Sequence, residues 1–497
     1  SGLGLSGGVS ELANTVIHAR TRLYIIGQFL LGLAAAMLVP LFYGLSIEDN
    51  VRPFILAIAI TAITGIALLW FAGRPERDLS QREGMLLVSI VWIVSCLFGC
   101  LPFYLSPYFP DFTGAFFETA SGFTTTGATV LPVVEVLSNS LQFWRCFTHW
   151  LGGMGIVLLA IAILPLVGVG GMPLYRAEFS GARSEKLKPR ITETAIALWK
   201  IYIALTLAQY LALRWAGMSP FDAACHTFST LGTGGFSTKT ASIAAFNSLA
   251  VETIIIIFML MAGINFTLHY RFWVEKQVRN FLGDAELRFY LWIVAFATIG
   301  IALSMVFHGQ YGLGTALRVS LFQVSSILTT TGFVISDFEK WNPFAQLILM
   351  GLMFVGGCTG STAGGLKSSR ILLLLKVVGR EFKRMVERKG VFSIRIGGRA
   401  FPEPAIQSLL NLVYLAFLTN LVSCLLLTAA GVDVFTSISA VLACMFNVGP
   451  GLGRVGPVEH YGHLPALAKW VLSGCMLAGR LEFYTLLVLF TPPFLRR

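Results

Sequence analysis

Ten stretches of the chain are apolar over roughly the 20 residues that a helix needs to cross a bilayer. They fall at about 23–45, 53–73, 84–105, 142–167, 195–216, 249–270, 287–307, 344–375, 405–430 and 466–491. No other feature restricts the fold as much, because backbone in hydrocarbon must satisfy its own hydrogen bonds, and a helix does so within one segment. The 497 residues are 56% hydrophobic and 12% charged, with a mean hydropathy of +0.76. Soluble proteins carry about 25% charged residues, so too few charges remain here to cover a water-facing surface. A soluble multidomain enzyme and a disordered chain are both excluded. No cleavable secretory signal is expected, and the opening SGLGLSGGVS is set aside from fold reasoning.

The charges orient the spans. Arg20 and Arg22 precede the first, Arg74, Arg77 and Arg82 follow the second, and Arg176, Arg183, Lys186, Lys188 and Arg190 follow the fourth. Arg271, Lys276, Arg279 and Arg288 follow the sixth, the stretch Lys376–Arg399 follows the eighth, and Arg496 and Arg497 follow the tenth. Every second loop is basic, which places both termini in the cytoplasm. This bias accounts for the formal charge of +11 without nucleic acid as a partner, and it brings anionic membrane lipid to the inner face. The eight cysteines lie in or beside apolar runs with neither metal nor disulfide spacing and read as small buried hydrophobes.

Four shorter segments, about 111–132, 219–240, 314–337 and 434–456, are too polar and glycine-rich to span, and all fall on the outer side. They resemble one another: FETASGFTTTGATV, CHTFSTLGTGGFST, FQVSSILTTTGFVI and VLACMFNVGPGLGR. Gly127, Gly235, Gly332 and Gly449 align at near-regular spacing, and Glu118, His226, Gln323 and Ala440 then share one position upstream. Gly232 and Gly234 compete in the second repeat; Gly235 is chosen because Phe236 then matches Phe333. The expected fold is an all-α integral membrane protein of about ten transmembrane helices. Two leading helices precede four parallel pseudo-repeats of helix, re-entrant pore loop and helix around one pore. The expected divisions are 1–22 (N-terminal segment), 23–79 (leading helices), 80–190, 191–283, 284–399 and 400–497 (pore repeats 1 to 4).

Irregular backbone at membrane depth is tolerated where it lines a water-filled path. Glycine reaches dihedrals closed to other residues, and threonine adds a hydroxyl oxygen on a stiff stem. Rings of carbonyl oxygens can replace the hydration shell of potassium, and short helices that aim their C-terminal ends at the axis favour a cation there. The expected filter is Thr125, Thr126 and Gly127 with Thr233, Gly234 and Gly235, then Thr330, Thr331 and Gly332 with Asn447, Val448 and Gly449.

On TTTGAT (Thr124–Thr129), TGGFST (Thr233–Thr238), TTTGF (Thr329–Phe333) and NVGPG (Asn447–Gly451), the chain resembles the Trk/Ktr/HKT superfamily of potassium transport proteins, in its bacterial TrkH/TrkG branch. The likeness covers nearly the whole chain, the leading spans included. It implies potassium as the transported ion, with no organic cofactor, and a pore built from four pseudo-equivalent units of one subunit. It further implies a homodimer in the bacterial inner membrane and a cytosolic TrkA-type nucleotide-binding regulator, for which the stretch with Arg380, Lys383 and Arg384 is the expected dock. Asn447 and Pro450 depart from the repeat, so exact fourfold equivalence is not expected. Each segment has one aligned glycine where a tetrameric channel filter has two, so discrimination against sodium is expected to be less strict.

Two inner features complete the reading. GGCTGSTAGGLKSSR places Gly356, Gly357, Gly360, Ser361, Thr362, Gly364 and Gly365 inside the eighth span. Each glycine disfavours helix by about 1 kcal/mol, so a break is expected, and the resemblance implies a mobile intramembrane loop there. The alternative is close helix packing through Gly356, Gly360 and Gly364. Arg480 lies deep in the tenth span, where a charge normally faces a cavity; Glu482, two residues on, points to another helix face. Arg480 and the glycine loop form the expected gate. His460 and His463 lack a third ligand, and Tyr104, Tyr108 and Trp341 read as interface anchors. No P-loop or HExxH is present, so an enzyme is not expected. The alternative function is an alternating-access symporter coupled to protons or sodium; such carriers usually show inverted repeats, and these are parallel.

Overall fold

The computed structural model describes residues 4–73, 81–155, 191–387, 390, 392–397, 399–483 and 486. The apolar runs form helices, and the described strands are one short hairpin, Arg395–Ile396 against Arg399–Ala400. Among the described residues six helices are long and apolar enough to cross a membrane: Arg20–Ser46, Arg52–Ala72, Glu83–Tyr104, Glu193–Trp215, Ala285–Phe307 and Glu403–Ala429. Large apolar side chains such as Ile63, Trp215, Phe296 and Phe417 face outward, whereas Glu118, Arg145, His226 and Gln323 are buried. That distribution reverses the water-soluble pattern and suits a lipid surround.

After the leading pair, one pattern recurs four times. A long helix leads to a short helix: Phe112–Phe123, Pro220–Leu231, Leu313–Leu328 and Val434–Met445. Asp111, Ser219 and Asp433 cap three of these, accepting from Gly114, Asp222 and Thr436 backbone N–H groups. Each short helix is followed by an extended return and then an inner helix: Asn139–Gly153, Leu249–Ala262, Pro343–Val355 and Ala466–Arg480. The apolar runs of the first and last inner helices continue outside the described residues, as do the basic stretches after the second, fourth and tenth spans.

The run 249–270 reads as one span, but its helix stops at Ala262 and resumes as Phe266–Trp273 with a bend of 101°. Gly263 sits where a Cβ would lie 2.6 Å from the Tyr290 hydroxyl oxygen and 2.9 Å from the Thr329 methyl. Asn265 then caps the new helix by accepting from the Thr267 N–H. Hydropathy ignores both, since neither residue interrupts an apolar average. Trp341 is no interface anchor either: it is buried, and its indole N–H donates to Ser336 Oγ at 3.3 Å.

Arg380 is also not the free surface cation that its position in a basic stretch suggests. Its guanidinium grips Glu403 with two bonds (2.7 and 3.0 Å) and Glu381 with one (3.1 Å), and the side chain is 7% exposed. It joins Ser368–Val386 to the first helix of the fourth repeat. Arg384 pairs with Glu381 at 3.2 Å, and Lys383 remains exposed.

Candidate ion pathway

All four short helices end alike. Thr125, Thr233, Thr330 and Asn447 donate their N–H to the carbonyls of Gly122, Thr230, Ile327 and Cys444, at 3.0–3.3 Å. The next residues, Thr126, Gly234, Thr331 and Val448, donate to Ser121, Ser229, Ser326 and Ala443, each at 2.8 Å. This pair of bonds closes a helix through a left-handed residue, usually glycine or asparagine. Here φ is +56°, +54°, +56° and +56°, and three of the four residues are threonine. A β-branched side chain is an outlier in that region, and such conformations cost about 1–3 kcal/mol each and cluster at functional sites. Two residues on, Gly127, Gly235, Gly332 and Gly449 have φ of +81°, +75°, +81° and +96°. Gly235 is thus the conformational counterpart in the second repeat.

The same glycines bring the segments together. A Cβ would lie 1.9 Å from the Gly234 carbonyl oxygen at Gly127 and 2.0 Å from that of Thr331 at Gly235. It would lie 2.2 Å from that of Val448 at Gly332 and 2.4 Å from that of Thr126 at Gly449. Each glycine therefore abuts the carbonyl preceding the next repeat's glycine, and the fourth closes on the first. The returns interlock in the same order. Val134 N–H donates to Thr240 Oγ1, Val334 N–H to Ser242 Oγ, and Tyr461 N–H to the Thr129 carbonyl. Glu135 accepts from Thr240 as well; burial opposes its charge, yet those bonds hold its carboxyl below the ordinary value.

The segments are not identical. Thr124 and Thr126 hydroxyls lie 2.8 Å apart, as do those of Thr329 and Thr331. In the second repeat the His149 ring fills that space, 2.4 Å from where a Gly234 Cβ would stand. In the fourth, Asn447 Nδ2 donates to Thr126 Oγ1 and to the Met476 carbonyl, both at 3.0 Å. The amide thus ties the fourth segment to the first, which a threonine cannot do with two donors.

Directly below, the third inner helix stops at Val355 and resumes at Ser368. Gly356, Gly360 and Gly365 take φ of +75°, +76° and +75°, so the stretch is a loop and not a packed small-residue helix. Gly364 N–H donates to Thr330 Oγ1 (2.6 Å), Gly365 N–H to the Phe446 carbonyl (3.1 Å), and Thr362 Oγ1 to the Ala262 carbonyl (3.1 Å). A Cβ on Gly357 would lie 2.7 Å from that of Ala363, so the loop is folded tightly on itself, and the Ser361 hydroxyl donates to the Cys358 carbonyl at 2.6 Å. The loop thus touches three of the four repeats beneath the segments. Arg480 reaches it: Nη1 donates to the Thr362 carbonyl (2.9 Å), and Nη2 to those of Gly152 (2.6 Å) and Gly153 (2.9 Å). Glu482 does not pair with Arg480 but with Arg370, at 2.6 Å.

Sequence reasoning missed several participants. Glu286 holds both ends of the loop, accepting from the N–H groups of Thr359 (2.6 Å) and Ser369 (3.0 Å). Tyr461 donates its hydroxyl to the Gly449 carbonyl at 2.8 Å. Arg145 is buried against Glu118 at 2.6 Å. A lone arginine at the start of an apolar run was the one available signal. His460 Nδ1 accepts from Gly462 N–H and closes a turn, and no group of three His, Cys, Asp or Glu among the described residues could hold a metal.

Residues 51–493 match the family model TrkH, described as a cation transport protein. The chain is 42% identical over 490 residues to the Trk system potassium uptake protein TrkH of Salmonella typhimurium, covering 97% of this chain and all of that one. It is 34% identical over 476 residues to the Trk system potassium uptake protein TrkG of Escherichia coli, covering 95% and 97% of the two chains. The crystal structure of the potassium transporter TrkH from Vibrio parahaemolyticus superposes with a TM-score of 0.86 at 38% identity, over 96% of this chain and 99% of that one. Sequence and fold agree over essentially the full length, and the chain belongs to the TrkH family of cation transport proteins.

Proposed function

We propose that this chain is a potassium uptake pore, with its filter at Thr125–Gly127, Thr233–Gly235, Thr330–Gly332 and Asn447–Gly449. The observation that carries the reading is the cyclic closure of four strained segments, each with threonine or asparagine held left-handed. Strain of that kind, repeated four times around one axis, supports a ring of backbone oxygens that takes the place of a hydration shell. The relatives' description as potassium uptake proteins supports potassium as the ion. The reading includes the four repeat divisions, a bacterial inner membrane location with cytoplasmic termini, a homodimer and a cytosolic nucleotide-binding partner. The test is flux through purified protein in liposomes with potassium, rubidium, sodium and lithium compared. Potassium and rubidium should exceed sodium and lithium, with unitary current steps. Equal sodium flux ends the filter reading, and selective flux without unitary steps favours the symporter.

Arg480 and the loop Gly356–Gly365 are the gate in this reading, and the bond from Arg480 to Thr362 supports it. Arg370 follows the loop and Glu482 follows Arg480, so their ion pair would make a shift of helix Ser368–Val386 pull on both parts at once. Arg370→Ala and Glu482→Ala should each raise basal potassium flux several-fold, and the swap Arg370→Glu with Glu482→Arg should return it toward the parent value. If the swap behaves no better than the single variants, the pair does not couple the two parts.

A further inference from the structure

The four segments close one ring, but what holds them from behind differs by side. Arg145 is buried in the first inner helix and bonds Glu118 through Nε at 2.6 Å. Glu118 in turn accepts from Thr129 Oγ1 (2.9 and 3.1 Å) and Val130 N–H (2.9 Å), on the return that follows Gly127. The other arm of the same guanidinium, Nη1, donates to the Ser237 carbonyl at 3.0 Å, two residues past Gly235. Its central carbon lies 3.5 Å from the centre of the Phe236 ring. His226 Nε2 lies 2.9 Å from Ser237 Oγ and completes the contact. One buried cation thus spans the first and second segments.

The third and fourth segments have no such group among the described residues. Counted from the first residue of each inner helix, the counterparts of Arg145 are Ile255, Leu349 and Leu472, all buried. The third return is held by neutral bonds from Ser326 Oγ (2.7 Å) and Gln323 Nε2 (3.4 Å) to the Phe333 carbonyl. The fourth has Ala440 at the position of Glu118; its return is held by the Tyr461 hydroxyl and by the buried Lys469 ammonium, which donates to the Gly462 carbonyl at 2.8 Å within the same repeat. A charged, forked, ring-stacked donor fixes direction far more tightly than a single neutral bond.

We propose that Arg145 is a positioning residue for ion selectivity: with Glu118 it locks the first and second filter segments to each other, whereas among the described residues no charged fork joins the third segment to the fourth. This rests on the filter assignment above. Lysine keeps the charge opposite Glu118 but cannot bond Glu118 and Ser237 as a fork or lie flat on Phe236. The experiment is reversal-potential measurement on the full chain in planar bilayers, comparing Arg145→Lys and the charge-neutral pair Glu118→Gln with Arg145→Gln. Gly235→Ser serves as the reference for the filter itself.

Both Arg145 variants should lower the potassium-to-sodium permeability ratio by about tenfold while still passing potassium current. If Gly235→Ser lowers the ratio and neither Arg145 variant does, Arg145 only holds the fold together, and the proposal fails while the filter stands. The proposal fails in the same way if both Arg145 variants do not fold and Gly235→Ser does. If none of the three changes the ratio, the filter assignment itself fails.

Discussion

Arg480→Ala raises potassium flux in the absence of any partner, by about tenfold or more. The guanidinium ties the fourth repeat to Thr362 of the loop and to the carbonyls of Gly152 and Gly153, spanning three repeats beneath the proposed filter. Two effects act together when it is removed. The first is electrostatic: at an effective dielectric near 20, unit charges about 4 Å apart repel by about 4 kcal/mol, roughly a thousandfold in occupancy. A cation that passes farther from Arg480 feels less, so a thousandfold is an upper bound. The second is mechanical, since the loop loses one of its bonds to the fourth repeat, the one at Thr362. Bonds from Gly364 to Thr330 and from Gly365 to Phe446 remain and keep the loop partly in place. Basal flux is measured on reconstituted protein, alongside thermal unfolding. A variant that folds as the parent does and conducts no faster makes Arg480 a structural strut, and the gate then lies elsewhere.

Gly332→Ser and Gly235→Ser abolish much of the preference for potassium over sodium. Two costs coincide at each position. An L-residue in the left-handed region is strained by roughly 1–2 kcal/mol, and φ here is +81° and +75°. The new Cβ would also stand 2.2 Å from the Val448 oxygen or 2.0 Å from the Thr331 oxygen, and both are backbone. No side-chain rotation relieves such a contact, so the neighbouring segment must move. Moving one carbonyl by a few tenths of an ångström changes its distance to a bare ion, and the permeability ratio should fall at least about tenfold on the general scale of filter distortion. Gly217→Ser is the control: φ is +92°, yet a Cβ there meets nothing within 4 Å. It should show the strain in stability alone and leave selectivity unchanged. If selectivity is unchanged in both ring variants, these segments are not the filter.

Ten apolar runs, alternating basic loops and four Thr/Gly segments were legible without coordinates because each follows from local rules. Hydrocarbon demands helices of a set length, cations stay on the inner side, and repeats show themselves by spacing. The glycines of 356–365 also declared their break, since helix propensity is local. The bend after Ala262 did not, because it depends on Tyr290 and Thr329 pressing against Gly263 from the third repeat. Arg145 looked like one cation in an apolar run until folding set it against Glu118 and Ser237. Arg380 looked like a surface charge until Glu403 closed on it. The chain's own order thus determined that it lies in a membrane and which four segments are equivalent. Only the tertiary structure decided that those segments close into a ring, which carbonyls meet Arg480 and which buried charges neutralise one another. Those contacts join residues far apart in sequence, and such pairings are settled by packing and by the need to satisfy every polar group that lipid cannot.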